Sequence, residues 1–247
     1  MDLNSHMVNK LDQIAYNKLN GKAPTVVFFS GFRSDMEGTK AVFLEGVCKE
    51  LGLGYVRFDY SGHGKSGGVF EECTIGTWKS DVIKVIDELT EGELILVGSS
   101  MGGWIMLLAA LERKNRIKAM LGLAAAPDFT EDLIWEGLDE FSQHKILRDG
   151  VLHMPNCYDD GVPYPITLKL IEEGRNHLLL RNKIALNCPM RLIHGMQDED
   201  VPFGTAYEIA KMVESTDIEI HLIKNGGHRL SEPHELELIK KTLLELI

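Results

Sequence analysis

A chain of 247 residues with 44% hydrophobic and 26% charged residues has the composition of one large globular domain, or a domain with an insertion, and is too apolar for disorder. Its formal net charge of -11 argues against a nucleic-acid or anionic-membrane partner, because both need a basic surface. No apolar run approaches the roughly 20 residues that cross a bilayer, which argues against an integral membrane segment. Four cysteines (Cys48, Cys73, Cys157 and Cys188) are scattered without C-x-x-C spacing. That pattern fits a reduced intracellular protein, and with no apolar secretory signal the expected location is cytoplasmic. Residues 1–7 end in Ser5-His6-Met7 and read as a cloning remnant, outside the fold.

Taken in chain order, β-type runs alternate with helical patterns. Residues 25–30 (TVVFFS) predict a strand, 40–51 a helix and 55–58 a second strand. Trp78, Val82, Val85, Ile86 and Leu89 carry helical spacing across 77–89. Residues 93–97 (ELILV) read as a buried strand, 104–111 as a helix and 117–123 as another strand. After a long interruption come a strand at 190–194, a helix at 205–213, a strand at 218–223 and a helix at 233–246. Apolar strands alternating with helices predict an α/β fold whose central sheet is mostly parallel, with helices on both faces. Ligands of such sheets bind at the carboxyl ends of the strands. Ser30, Asp59, Ser100, His194-Gly195 and the segment after Ile223 fall there. The interruption, residues 127–187, holds Pro155, Pro163 and Pro165 with Phe129, Trp135, Phe141, Tyr158 and Tyr164, and is too long for a simple loop. It is expected to form a cap, leaving 8–126 and 188–247 as the core. The plainer alternative is a pair of peripheral helices with no substrate role.

Gly98-Ser99-Ser100-Met101-Gly102 is a G-x-S-x-G between a strand pattern and a helix pattern. A serine at such a strand-to-helix turn projects its hydroxyl above the sheet, and small flanking residues let neighbouring backbone pass close by. The pentapeptide alone also fits an ordinary glycine-rich turn. A serine hydroxyl needs a base oriented by an acid before it becomes a nucleophile. His228, in Asn225-Gly226-Gly227-His228, follows the last strand and is the expected base; Asp198, just beyond the strand at 190–194, is the expected acid. The rivals are Asp200 and Glu199 for the acid, and His194, His221, His234, His144, His153 and His177 for the base. An acyl-transfer intermediate needs two fixed N–H donors. The candidates for this oxyanion hole are Met101, directly after the serine, and Phe32, in the loop after the strand at 25–30. The side chains of Phe32, Trp135 and Phe129 are candidates to line a substrate pocket. Gly64-Lys65-Ser66 imitates the end of a phosphate-binding loop, but Asp59 stands where that motif needs glycine. Asp59 and His63 are expected to brace loops near the site. No H-E-x-x-H or Cys/His cluster points to a metal, and no cofactor is expected.

Beyond the G-x-S-x-G, the chain carries RFDYSGHGKS at 57–66, HGMQDEDVP at 194–202 and GGH at 226–228, in the order Ser, Asp, His. On these strings it resembles the α/β-hydrolase superfamily over nearly its whole length. The longer runs FSGFRSDMEGTKA at 29–41, LVGSSMGGW at 96–104 and NCPMRLIHGM at 187–196 are similar to the animal mitochondrial acyl-protein thioesterases of that superfamily. That resemblance implies an α/β-hydrolase fold with a cap insertion, and a depalmitoylase or acyl-glucuronide esterase type of activity. It also implies Ser100, Asp198 and His228 as nucleophile, acid and base, with Phe32 and Met101 as oxyanion donors. The chain departs from these enzymes in its cap and in showing no transit peptide. The expectation is a serine hydrolase that cleaves esters or thioesters of small molecules or acylated proteins through an acyl-enzyme. Hydrolysis of a C–C bond on the same scaffold, and a catalytically silent ligand-binding protein, are the alternatives.

Overall fold

The computed structural model describes residues 9–154 and 163–247. The segment 1–7, and Pro155, Cys157 and Tyr158 of the interruption, lie outside the described residues. In chain order the elements are β1 (Asn9–Leu11), β2 (Ile14–Leu19), β3 (Lys22–Phe29), α1 (Thr39–Leu51), β4 (Leu53–Phe58) and α2 (Ile75–Leu89). There follow β5 (Leu94–Ser99), α3 (Met101–Glu112), β6 (Ile117–Leu123), α4 (Glu140–Asp149), β7 (Val151–Met154), β8 (Tyr164–Thr167) and α5 (Leu168–Gly174). The chain ends with β9 (Met190–Gly195), α6 (Gly204–Met212), β10 (Ile218–Ile223) and α7 (Pro233–Leu246).

Eight strands form one sheet in the order β1-β2-β4-β3-β5-β6-β9-β10. The pairs from β4 to β10 are parallel, and β2 joins β4 antiparallel. Alternation along the strands divides the core between the two faces. Val27 and Phe29 of β3 pack with Val82 and Ile86 of α2 and Trp104 of α3. Val26 and Phe28 turn the other way, towards Leu44 and Val47 of α1 and Ile239 and Leu243 of α7. Every residue of β5 is buried, as is α3 from Met101 to Ala110. An element apolar on all sides stabilises the fold only in the middle of it, at about 1.5–3 kcal/mol for each large side chain enclosed. That places the G-x-S-x-G at the centre of the sheet.

Local chemistry sets the helix ends. Thr74 caps α2 with a reciprocal Thr74–Thr77 capping box, so the helix starts two residues earlier than its apolar spacing announces. Pro233 in the first turn of α7 and the Glu232–Glu235 box fix that start. Two features escape the sequence pattern. The antiparallel pair β1–β2 is short, and its exposed first strand has no apolar alternation. The hairpin β7–β8 carries Pro165, a residue suited to edge strands. The hairpin lies in the segment 127–187, together with a π-helical turn at Thr130–Trp135, α4 and α5.

Candidate active site

At the end of β5 the chain turns into α3 through Ser100, whose φ of 55° and ψ of -123° lie in a region that side-chain-bearing residues rarely adopt. The turn is over-determined. Ser100 N donates to Leu123 O at 2.9 Å, and Ala126 N donates to Ser100 O at 3.0 Å. A Cβ on Gly102 would sit 2.2 Å from Phe29 O, and one on Gly98 2.5 Å from Gly102 O. Both glycines are therefore required by close backbone approach, and together they leave the serine as the side chain at the top of the turn.

The turn after β10 brings in the histidine. His228 Nε2 lies 3.0 Å from Ser100 Oγ, and its Nδ1 lies 2.8 Å from Asp198 Oδ2. The Asp198 side chain has no exposed surface. Its Oδ1 accepts from the backbone N–H groups of Asp200 (3.0 Å) and Val201 (2.8 Å). Its Oδ2 also lies 3.1 Å from His194 Nε2. Burial by itself raises the carboxyl, but the hydrogen bonds from His194, His228 and Val201 and the charge of His228 outweigh it. Asp198 is thereby held well below the usual carboxylate range and stays ionised.

Of the rivals, Asp200 is exposed and supplies its backbone to Asp198. His194, buried beneath the turn, lies within 3.0 Å of Val201 O as well as beside Asp198. His177 pairs with Glu173 at 2.6 Å, and His144 and His153 sit on α4 and β7. Asp198, Asp200 and His228 bring ligand-type atoms within 4.8 Å of one another. The two Asp198 oxygens, however, are already shared among four N–H donors.

The loop after β3 runs against the elbow: a Cβ on Gly31 would stand 3.3 Å from Ser100 Cβ. Next to it, the Phe32 ring is the hub of an edge-to-face cluster. Phe70 lies at 5.1 Å, Phe129 at 5.6 Å, Trp78 at 5.9 Å and Tyr164 at 5.9 Å between centroids. Phe129 continues to Trp104 at 5.8 Å. Two of the pocket candidates, Phe32 and Phe129, are thus neighbours beside the elbow. Trp135 lies farther along the 127–187 segment under the Arg175 guanidinium, 5.1 Å from its ring centre. Asp59 braces the loops as expected, accepting Met36 N at 2.6 Å and Lys65 N at 2.8 Å.

The amino-acid chain has matching relatives. Residues 22–148 match the family model described as serine aminopeptidase, S33. The mitochondrial palmitoyl-protein thioesterase ABHD10 of Bos taurus is 43% identical over 96% of this chain and 77% of its own length. The chain belongs to this α/β-hydrolase family. The Homo sapiens ABHD10 is 42% identical over the same shares of the two chains. The solved mouse α/β-hydrolase domain-containing protein 10 superposes with a TM-score of 0.89 at 39% identity, covering 97% of this chain and 96% of that one. As a member of this hydrolase family the chain is an enzyme. The relatives are named mitochondrial, which overturns the expectation of a cytoplasmic protein. Scattered thiols report a reducing surrounding, and that property does not separate the cytoplasm from the interior of an organelle.

Two residues of this α/β-hydrolase site escaped sequence reasoning. His194 enters the sequence reading only as a rival for the base and not as a partner of the acid, although its spacing of four from Asp198 is visible in the chain. Asp128, fully buried at φ 60°, accepts Leu179 N and Leu180 N at 2.8 Å each and ties the two ends of the 127–187 segment together. No local pattern marks an acid that pairs 51 residues away.

Proposed function

We propose that this enzyme hydrolyses fatty-acyl thioesters and carboxylic esters, with Ser100 as nucleophile, His228 as base and Asp198 as the orienting acid. The observation that carries the reading is the relay of 3.0 Å from Ser100 Oγ to His228 Nε2 and 2.8 Å from His228 Nδ1 to Asp198. His228 takes the proton as Ser100 Oγ attacks the acyl carbon. The Asp198 carboxylate holds the Nδ1–H tautomer and stabilises the imidazolium. The oxyanion is received by the backbone N–H groups of Met101 and Phe32. Collapse expels the thiolate or alkoxide, protonated by His228. A water deprotonated by the same histidine then attacks the acyl-enzyme and releases the acid.

Segment 127–187 acts in this reading as a cap, with Phe129 and Trp135 contributing apolar surface for the acyl chain and Phe32 joining core to cap. Its contacts with the Phe32 ring through Phe129 and Tyr164 support that role. A palmitoyl-protein thioesterase name on relatives of more than 40% identity supports a long acyl chain on a protein or small-molecule carrier, and the mitochondrion as the compartment. The test is hydrolysis of p-nitrophenyl esters and acyl thioesters from C2 to C16, with Ser100→Ala as control. Ser100-dependent turnover rising towards medium and long chains is expected. Turnover confined to C2–C4 overturns the fatty-acyl assignment, and turnover that survives in Ser100→Ala overturns the nucleophile.

A further inference from the structure

The oxyanion loop is held in a conformation its own sequence does not favour. Ser34 N closes on Gly31 O at 3.1 Å, forming a tight four-residue turn around Phe32 and Arg33. Arg33, at the third position, has φ 55°, a left-handed value that suits glycine and is costly for a long side chain. Such strain persists where surrounding contacts over-determine it. Here the contact is His63, whose Nε2 accepts the Arg33 N–H at 3.1 Å. In a turn of this kind the peptide between the second and third residues has two opposite orientations, and an acceptor for the third N–H selects one of them.

His63 is built to remain that acceptor. Its Nδ1 lies 3.3 Å from Ser61 O, so the ring proton sits on Nδ1 and Nε2 keeps its lone pair. Ser61 O also receives Trp78 Nε1 at 3.1 Å, and Ser61 N and Oγ donate to Asp81 at 2.8 and 3.1 Å. The imidazole is 4% exposed and packs edge-on against Phe70 at 5.1 Å, Trp78 at 5.2 Å and Tyr60 at 5.6 Å. Burial, reinforced by the Arg33 charge, pushes its pKa down to about 4, although the bond to Ser61 works the other way. The ring is therefore neutral at ordinary pH.

We propose that His63 is a positioning residue for the oxyanion hole: by holding the Arg33 amide it keeps the adjoining Phe32 N–H aimed at the carbonyl oxygen of an acyl group on Ser100. The inference rests on the proposed roles of Ser100 and Phe32. His63 touches neither substrate nor reacting atoms and acts through the turn. A donor displaced by a few tenths of an ångström is lost to the transition state more than to the ground state, where the carbonyl carries little charge. The effect therefore belongs in kcat and not in KM.

The experiment uses the full chain with the best substrate of the acyl series. His63→Phe keeps an aromatic ring among Tyr60, Phe70 and Trp78 but removes the lone pair, and His63→Gln offers a side-chain oxygen in its place. His63→Phe is expected to lower kcat about 10- to 100-fold, at or below the roughly 10²–10³ cost of losing an oxyanion donor outright, because the Phe32 N–H is displaced and not removed, with KM within threefold. It should weaken an alkyl boronic acid, which forms a tetrahedral adduct on Ser100, by the same factor, while inhibition by the planar fatty-acid product stays unchanged. His63→Gln should recover a substantial part of both losses. A kcat within twofold of the parent in His63→Phe overturns the proposal. So does a fall in kcat without loss of boronate affinity, or a glutamine variant no better than phenylalanine. If the parent itself shows no Ser100-dependent turnover, the reading of the site fails. If that turnover is present and indifferent to His63, only the present inference fails.

Discussion

Replacing Asp198 by asparagine is the sharpest test of the relay, because the structure fixes which way the new amide must face. Asp198 Oδ1 accepts two backbone N–H groups, from Asp200 and Val201, and neither can become an acceptor. The asparagine oxygen must take that side, so its NH2 faces His228 Nδ1 and His194 Nε2, which stand 2.8 and 3.1 Å from Oδ2. His228 can meet an NH2 group only by accepting through Nδ1, which moves its proton to Nε2. A protonated Nε2, 3.0 Å from Ser100 Oγ, cannot remove the serine proton. The wrong tautomer costs a serine hydrolase on the order of 10⁴ in kcat, or about 5.5 kcal/mol of barrier. Asp200→Asn leaves the backbone donor to Asp198 in place and should cost less than tenfold. The assay is kcat and kcat/KM on a chromogenic ester for both variants at pH 7–8, beside thermal melts to confirm that each is folded. A folded Asp198→Asn within tenfold of the parent, or an Asp200→Asn loss as large as that of Asp198→Asn, would refute the reasoning.

Three further outcomes follow from the same geometry. Ser100→Gly and Ser100→Ala should both lose at least 10³ in kcat, yet the glycine variant should melt higher than the alanine variant. A Cβ at φ 55°, ψ -123° carries strain of roughly 1–3 kcal/mol that glycine avoids, only part of which is offset by the freer unfolded chain; equal or reversed melting temperatures in differential scanning would show the elbow to be unstrained. Asp128→Ala leaves the N–H groups of Leu179 and Leu180 without their buried acceptor. At about 1–3 kcal/mol for each of the two unmatched groups, the urea-derived stability should drop by about 2–6 kcal/mol, and a loss under about 1 kcal/mol would exclude Asp128 as the clasp of the 127–187 segment. His63 makes stability depend on pH in a defined window. The unfolded chain protonates this ring near 6.5 and the folded chain only at about 4, so the unfolded state binds more protons in between and stability is lost as pH falls through that range. The single-group share is up to about 3 kcal/mol; urea midpoints at pH 7 and pH 4.5 should converge in His63→Phe, and an unchanged pH dependence in that variant would contradict the assignment.

The chain's sequence by itself determined the alternation of strands and helices, the buried character of the strand at 93–97, and the G-x-S-x-G turn, since each depends on side-chain period or on steric room within a few residues. The stretches 117–123, 218–223 and 233–246 coincide with β6, β10 and α7, because their apolar spacing and caps agree with the tertiary environment. The short pair β1–β2 and the hairpin β7–β8 were not legible, because exposed or proline-bearing edge strands carry little periodic signal. Asp198 and Asp200 have the same chemistry two residues apart, and no local pattern says which carboxylate the turn after β9 directs inward. Only the tertiary structure decided that His228 stands 128 residues from Ser100 in sequence and 3.0 Å from it in space, that His194 and two backbone amides share the acid, and that His63 holds the Arg33 amide. Those are contacts between elements brought together by burial of the two sheet faces, and the free energy that fixes them is spread over the whole core and not over the residues that meet.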